Sequence, residues 1–87
     1  MDLFGRVAIV TGAGRGLGWA IAERLARDGA NIVIAEIDVA FAQAREEAIR
    51  RMKLEALAVQ TDVTRWDDVA RMVNQTMSQF KRIDILK

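Results

Sequence analysis

The sequence has no cysteine, no histidine, no tyrosine and no proline. The first three absences each remove a class of chemistry. Without cysteine there is no disulfide, no thiolate nucleophile and no cysteine-based metal site. Without histidine there is no Ser-His-Asp triad and no imidazole metal ligand, so no metal site is expected. Without tyrosine there is no phenolic acid or base, and acid–base work is left to carboxylates and amines. No apolar run approaches the roughly 20 residues needed to span a bilayer. The first residues, Met1 to Val10, lack the layout of a secretory signal. A soluble, cytoplasmic chain without a membrane partner is therefore expected.

An excess of one charge is missing as well. Thirteen Lys and Arg face twelve Asp and Glu, and the signs are interspersed. Nucleic-acid binders show a basic stripe or block. The densest basic stretch, Arg45 to Lys53, also contains Glu46 and Glu47, four residues before Arg50 and Arg51. That spacing supports an exposed helix face, and no nucleic-acid partner is expected.

What is present is an 87-residue chain, 52% hydrophobic and 29% charged, rich enough in apolar residues to fold but no larger than one small domain. Surface scaling has such a chain burying about 64% of its unfolded surface, which makes a marginal core. Short apolar runs alternate with longer amphipathic stretches. Val7 to Thr11, Asn31 to Glu36 and Ala56 to Gln60 are runs of strand length, the first two β-branched. Ile83 to Leu86 begins a fourth. Leu17 to Asp28 reads as a helix with Leu17, Ile21 and Leu25 on one face, closed by Gly29. Val39 to about Met52 reads as a second, with Phe41, Ala44, Ala48, Ile49 and Met52 as its buried face. The third has Thr64 as its expected cap and Asp67 three residues later. Its stripe is Trp66, Val69, Val73, Met77 and Phe80, stepping by 3, 4, 4 and 3. Strands alternating with helices indicate an α/β fold, a doubly wound parallel sheet with the order β-α-β-α-β-α-β.

Thr11-Gly-Ala-Gly-Arg-Gly-Leu-Gly18 joins the first strand to the first helix. Glycine there permits unusual backbone angles and close approach of an anion to a helix N-terminus. The turn is not a P-loop, which ends in Gly-Lys-Ser/Thr, and it does not match G-x-G-x-x-G. It does match T-G-x-x-x-G-x-G through Thr11, Gly12, Gly16 and Gly18. Glu36 ends the second strand eighteen residues after Gly18, near the separation expected of a ribose-binding acid. A carboxylate at that place accepts ribose hydroxyl protons and repels a 2′-phosphate, so NAD is expected rather than NADP.

With these features the chain resembles the N-terminal half of a short-chain dehydrogenase/reductase. The resemblance is carried by Thr11 to Gly18, Ala35-Glu36-Ile37-Asp38, Thr61-Asp62-Val63-Thr64 and Ile83-Asp84-Ile85-Leu86, and it covers essentially the whole sequence. It implies a Rossmann-type sheet with strand order 3-2-1-4. It also implies an oxidoreductase that moves a hydride between nicotinamide and an alcohol or ketone. Gly12, Arg15, Gly16, Leu17 and Gly18 match the family's phosphate and ribose loop, Glu36 its ribose acid, and Asp62 and Val63 its adenine contacts. Asp62 has an equal reading as the anchor of a local turn. Asp38 reads better as the start of the second helix than as a ribose ligand. A basic residue at Arg15 accompanies NADP use in the family, and Glu36 opposes it.

The family's Asn-Asn-Ala-Gly turn and its catalytic Ser, Tyr and Lys lie beyond the fourth strand, and none is present. Ser78 and Lys81 fall elsewhere and read as surface residues, so no catalytic residue is assigned. Residues 1–87 are expected to form a partial NAD(P)-binding domain ending within the fourth strand, inactive alone. The alternative is a non-catalytic nucleotide-binding module. A short fourth strand is expected to leave the first poorly covered and to favour self-association through the exposed sheet edge.

Overall fold

The computed structural model, which describes residues 2–87, bears out the alternation: β1 (Val7–Thr11), α1 (Gly16–Arg27), β2 (Asn31–Glu36), α2 (Val39–Arg50), β3 (Ala56–Gln60), α3 (Trp66–Phe80) and β4 (Ile85–Leu86). The four strands form one parallel sheet in the order β3-β2-β1-β4. This is the α/β, doubly wound, Rossmann-type arrangement. The β1–β2 register runs from Val7 opposite Asn31 to Thr11 opposite Ala35.

Side chains alternate across the sheet because successive residues of a strand point to opposite faces. One face carries Ala8, Val10, Ile32, Ile34 and Ala56, packed under Ala22 and Ala26 of α1 and Ala42 and Ile49 of α2. The other carries Val7, Ile9, Val33, Ala35 and Val59 against Met72 of α3. Both faces of β1 and β2 are thus covered, which is why these strands read as unbroken apolar runs. Alanine at the α1 contact lets the helix sit close to the sheet, which brings its N-terminus beside the end of β1. Gly29 closes α1 as expected: its N–H reaches the Ala26 carbonyl at 2.9 Å and the Ala30 N–H reaches Leu25 at 3.1 Å. This double bond pattern satisfies two otherwise unpaired helix carbonyls.

The helix faces differ in detail from their sequence patterns. Leu17 is 77% exposed, and Ala22 and Ala26 are the buried residues of α1. Phe41 and Ala44 of α2 are exposed, and Ala42 takes the buried position beside Ile49. In α3 the buried pair is Met72 and Thr76, and Trp66, Val73 and Met77 face outward. Thr64 does not cap α3. The N-cap is Arg65, without a side-chain bond, and the Thr64 hydroxyl is engaged before the helix, donating to Asp62 at 2.6 Å.

β1 is not poorly covered. Beyond the pairs Ala8–Ile85 and Ile9–Leu86, the Asp84 N–H reaches the Val7 carbonyl at 2.9 Å and the Thr11 N–H reaches the Lys87 carbonyl at 2.8 Å. The open edge on this side belongs to β4. Asp84 adds a side-chain clamp. Its carboxylate takes the Val7 N–H at 2.8 Å, both prongs of Arg82 at 2.8 Å, and Arg6 at 3.4 Å. The Arg82 guanidinium first, then the Val7 amide, hold that carboxyl well below the usual range. The chain exposes 5177 Å², against about 5,100 Å² for a compact protein of this mass. Its large exposed apolar side chains are scattered over the surface, with Trp66, Leu17, Phe4, Leu86 and Val63 the most exposed. No helix among the described residues is long and apolar enough to cross a membrane.

Candidate functional site

Three chain segments converge where the strands end. The Gly12 N–H extends the β1–β2 ladder by bonding the Ala35 carbonyl at 2.7 Å, and the Thr61 N–H extends the β2–β3 ladder by bonding Glu36 at 3.0 Å. The ladders stop at one level, and a cleft opens above them. Gly12, Glu36, Ile37, Thr61, Asp62 and Val63 line it, around about 150 Å³. It lies outside the carboxyl ends of parallel strands, where open α/β sheets hold ligands. α1 and α2 cover one face of the sheet and α3 the other.

Glu36 is 3% exposed. Its Oε1 accepts the Gly14 N–H at 2.9 Å, and Oε2 accepts the Asp38 N–H at 3.1 Å. Two amides therefore fix the carboxylate between the glycine turn and the start of α2. The fit admits no side chain at residue 14, because a Cβ there would lie 2.7 Å from Glu36 Cγ, Glu36 Oε1 and Phe41 Cβ. Asp38 takes the helix-cap role expected of it: Oδ1 accepts the Phe41 N–H at 3.1 Å.

On the far wall, Asp62 Oδ1 accepts both the Thr64 hydroxyl and the Thr64 N–H, the latter at 2.9 Å. These bonds, the hydroxyl's foremost, and then the charge of Arg65 lower the Asp62 pKa. The Asp62 N–H is itself held by Asp68 of α3 at 2.9 Å. Asp62 thus anchors a turn, as one of its two readings had it, and still lines the cleft. Val63 beside it is 58% exposed.

The glycine turn suits an anion. Gly12 and Gly16 have φ of +63° and +60°, and a Cβ at either would meet nothing within 4 Å. The space beside them is open. The first turn of α1 contains no acid, and its N-cap, Arg15, supplies no side-chain bond to the helix amides. Those amides and the positive end of the helix dipole are available to phosphate oxygens. The donor set, amides and an exposed Arg15 on one side and the acceptor Glu36 on the other, fits a ligand that carries both phosphates and hydroxyls. Arg15 stands at the rim, 5.2 Å from the centroid of the Phe41 ring. Leu17 points to solvent, and Gly18 is the point where α1 crosses the Gly12 backbone.

Of the eight residues singled out in the sequence, Gly12, Glu36, Asp62 and Val63 line the cleft, whereas Arg15, Gly16, Leu17 and Gly18 lie outside its lining, at the cap and first turn of α1. Ile37 and Thr61 also line the cleft; both lie in segments that carry the resemblance, though neither was singled out as a site residue. Arg45 was legible only as part of a charged helix face. Its Nε donates to the Gly14 carbonyl at 2.9 Å, a contact 31 residues distant in sequence.

Comparison with known proteins agrees with this architecture. A family model described as short chain dehydrogenase matches residues 6–87. An uncharacterized oxidoreductase of Thermotoga maritima is 43% identical over 84 residues, covering 97% of this chain and 33% of that protein. The solved structure of a 7α-hydroxysteroid dehydrogenase complexed with NADH and 7-oxo glycochenodeoxycholic acid superposes with a TM-score of 0.93 at 32% identity, covering 98% of this chain and 33% of that one. NAD+-bound xylitol dehydrogenase gives the same TM-score and identity, covering 99% and 33%. The chain spans about a third of the length of the relatives it matches. By fold, by the strand-end cleft and by this match over nearly its full length, the chain belongs to the short-chain dehydrogenase family.

Proposed function

We propose that residues 1–87 are the cofactor-binding part of an NAD-dependent short-chain dehydrogenase, a partial domain ending within its fourth strand. In this reading the chain holds the adenosine and pyrophosphate end of the dinucleotide and does not turn it over by itself. The bound cofactor would supply the hydride exchange at its nicotinamide ring, with an alcohol or ketone as the other partner. The observation that carries the reading is the meeting of the open glycine turn with buried Glu36 at one strand-end cleft.

Each residue then has a task. Gly12 and Gly16 leave room for the pyrophosphate, Gly18 lets the turn close, and the first-turn amides of α1 beside Leu17 meet the phosphate charge. Asp62 and Val63 form the adenine wall. Glu36 has committed one lone pair of each oxygen to an amide, and a carboxylate offers about four acceptor sites, so the remainder serve the ribose hydroxyls. A 2′-phosphate there would face a fixed negative charge. At ~4 Å and an effective dielectric near 20, that repulsion is about 4 kcal/mol per unit charge before salt screening. Arg15 at the rim offsets part of it, which leaves NAD preferred. Inactivity alone is supported by the absence of any tyrosine.

Calorimetric titration of the 87-residue chain with NAD, NADP and ADP-ribose tests this. NAD and ADP-ribose are expected to bind alike, with NADP at least about tenfold weaker. Tighter NADP binding would refute the selectivity, no binding to a folded sample would refute the site, and NAD reduction with an alcohol would refute inactivity. A folded sample that binds nucleotide without any reaction fits the module reading of the same site.

A further inference from the structure

Arg45 projects from α2 onto the middle of the glycine turn. Its Nε donates to the Gly14 carbonyl at 2.9 Å, and its guanidinium carbon lies 4.4 Å from the centroid of the Trp19 ring on α1. The Gly14 N–H, one peptide earlier, is held by Glu36 Oε1. The two peptide groups that flank Gly14 are therefore gripped from outside the turn, one by an anion and the other by a cation.

The second of these peptides matters most for a ligand. The Gly14 carbonyl and the Arg15 N–H belong to one rigid plane, and Arg15 is the N-cap of α1. To hold the carbonyl is to set the plane from which the first turn of α1 departs. Nothing else on α2 demands Arg45. The start of that helix is capped by Asp38, and its exposed face is paired independently through Glu47 and Arg51 at 2.6 Å. The planar guanidinium suits the place because it can stack on Trp19 and donate in its own plane at once, which a lysine cannot do.

We propose that Arg45, stacked on Trp19, is a positioning residue for the cofactor loop: it fixes the Gly14–Arg15 peptide so that the amides at the start of α1 face the phosphates. This rests on the reading of the cleft as a dinucleotide site. Its own content is the ordering of the turn, which exists without ligand.

The test uses the 87-residue chain with Arg45→Met, which keeps the alkyl stem, and Arg51→Met, which removes an exposed ion pair from the same helix. Amide hydrogen exchange is measured without ligand at Gly14 and Trp19, the turn amides bonded to Glu36 and to the Arg15 carbonyl, and ADP-ribose affinity by calorimetry. Arg45→Met is expected to speed exchange of the turn amides and to weaken ADP-ribose binding, each about tenfold, as for loss of a charge-assisted hydrogen bond. Arg51→Met is expected to change neither. Unchanged exchange in folded Arg45→Met overturns the proposal, and so does an equal change in Arg51→Met. Faster exchange in Arg45→Met, together with a wild-type chain that does not bind ADP-ribose, would overturn the dinucleotide reading and leave the ordering role standing. Should Arg45→Met fail to fold, Trp19→Phe and Trp19→Leu replace it. The phenyl ring is expected to preserve slow exchange and leucine to lose it, and equal exchange in the two overturns the proposal.

Discussion

Replacing Glu36 by glutamine should destabilise the chain before any ligand is added. The side chain keeps its size and shape but loses one acceptor. In the native protein Oε1 and Oε2 each take a backbone N–H, from Gly14 and Asp38, at a residue only 3% exposed. A glutamine can turn its carbonyl to one of these amides and must turn its NH2 to the other. One buried N–H is then left facing a donor, at a cost of about 1–3 kcal/mol, and the remaining bond loses its ionic assistance. About 2–3 kcal/mol in all is a large part of the stability of so small a chain. With an unfolding entropy of roughly 2.1 cal/mol/K per residue, the melting temperature should fall by about 10–15 °C. Thermal melts followed by far-UV circular dichroism at neutral pH measure this directly. Glu47→Gln is the control: Glu47 is exposed and pairs with Arg51, and its loss should move the midpoint by no more than about 2 °C. A Glu36→Gln midpoint within that same range of wild type would refute the reasoning. Glu36 would then be free for ligand alone, and the two amide bonds would carry no weight.

Other outcomes follow from the same geometry. Gly18→Ala would drive a Cβ into the Gly12 carbonyl; it should cost about 1–3 kcal/mol in urea unfolding and abolish ADP-ribose binding, and unchanged values of both would contradict the close crossing of α1 and the turn. The Asp84 carboxyl has its folded-state pKa depressed by Arg82 and the Val7 amide, so its contribution is fully present above the unfolded value, near 4, and is lost as pH falls below it. Asp84→Asn should therefore be less stable than wild type at pH 7 and should converge with it in acid, and parallel pH–stability curves would exclude the clamp. The open edge of β4, with Leu86 65% exposed, and the outward Trp66 of α3 should make the chain self-associate. Sedimentation velocity over a concentration series is expected to show a rising mean mass, and a concentration-independent monomer would rule this out.

The alternation of strands and helices was readable because β1 and β2 are buried on both faces and the helices carry near-periodic apolar positions. The bounds of β1, β2 and β3 agree with their runs. Helix faces were less legible. Periodicity finds a stripe, but the stripe that packs depends on what lies across from it. Ala22 and Ala26 of α1 and Ala42 and Ile49 of α2, not Leu17 or Phe41, are the buried residues of these helices. In α3, Trp66, Val73 and Met77 obey the spacing and face outward, and Met72 and Thr76 are inside. Thr64 has the chemistry of a cap, but α3 starts one residue later, with Arg65 at the cap position, and the Thr64 hydroxyl donates into the Asp62 turn.

By itself, the sequence determined the class of fold, the strand order through the family it resembles, and the address of the site: a glycine turn, an acid at the end of the next strand, and an acidic turn after the third. It also excluded the chemistry of histidine, cysteine and tyrosine outright, since a missing side chain cannot be supplied by folding. Only the tertiary structure decided how those parts engage. It showed Glu36 committed to two amides, Asp62 to Thr64, β1 paired along both edges, and Arg45 reaching across from α2 to the middle of the turn. The physical reason is range. Propensity, periodicity and local spacing are properties of neighbours in the chain, whereas a hydrogen bond from residue 45 to residue 14 exists only once the sheet has brought them together.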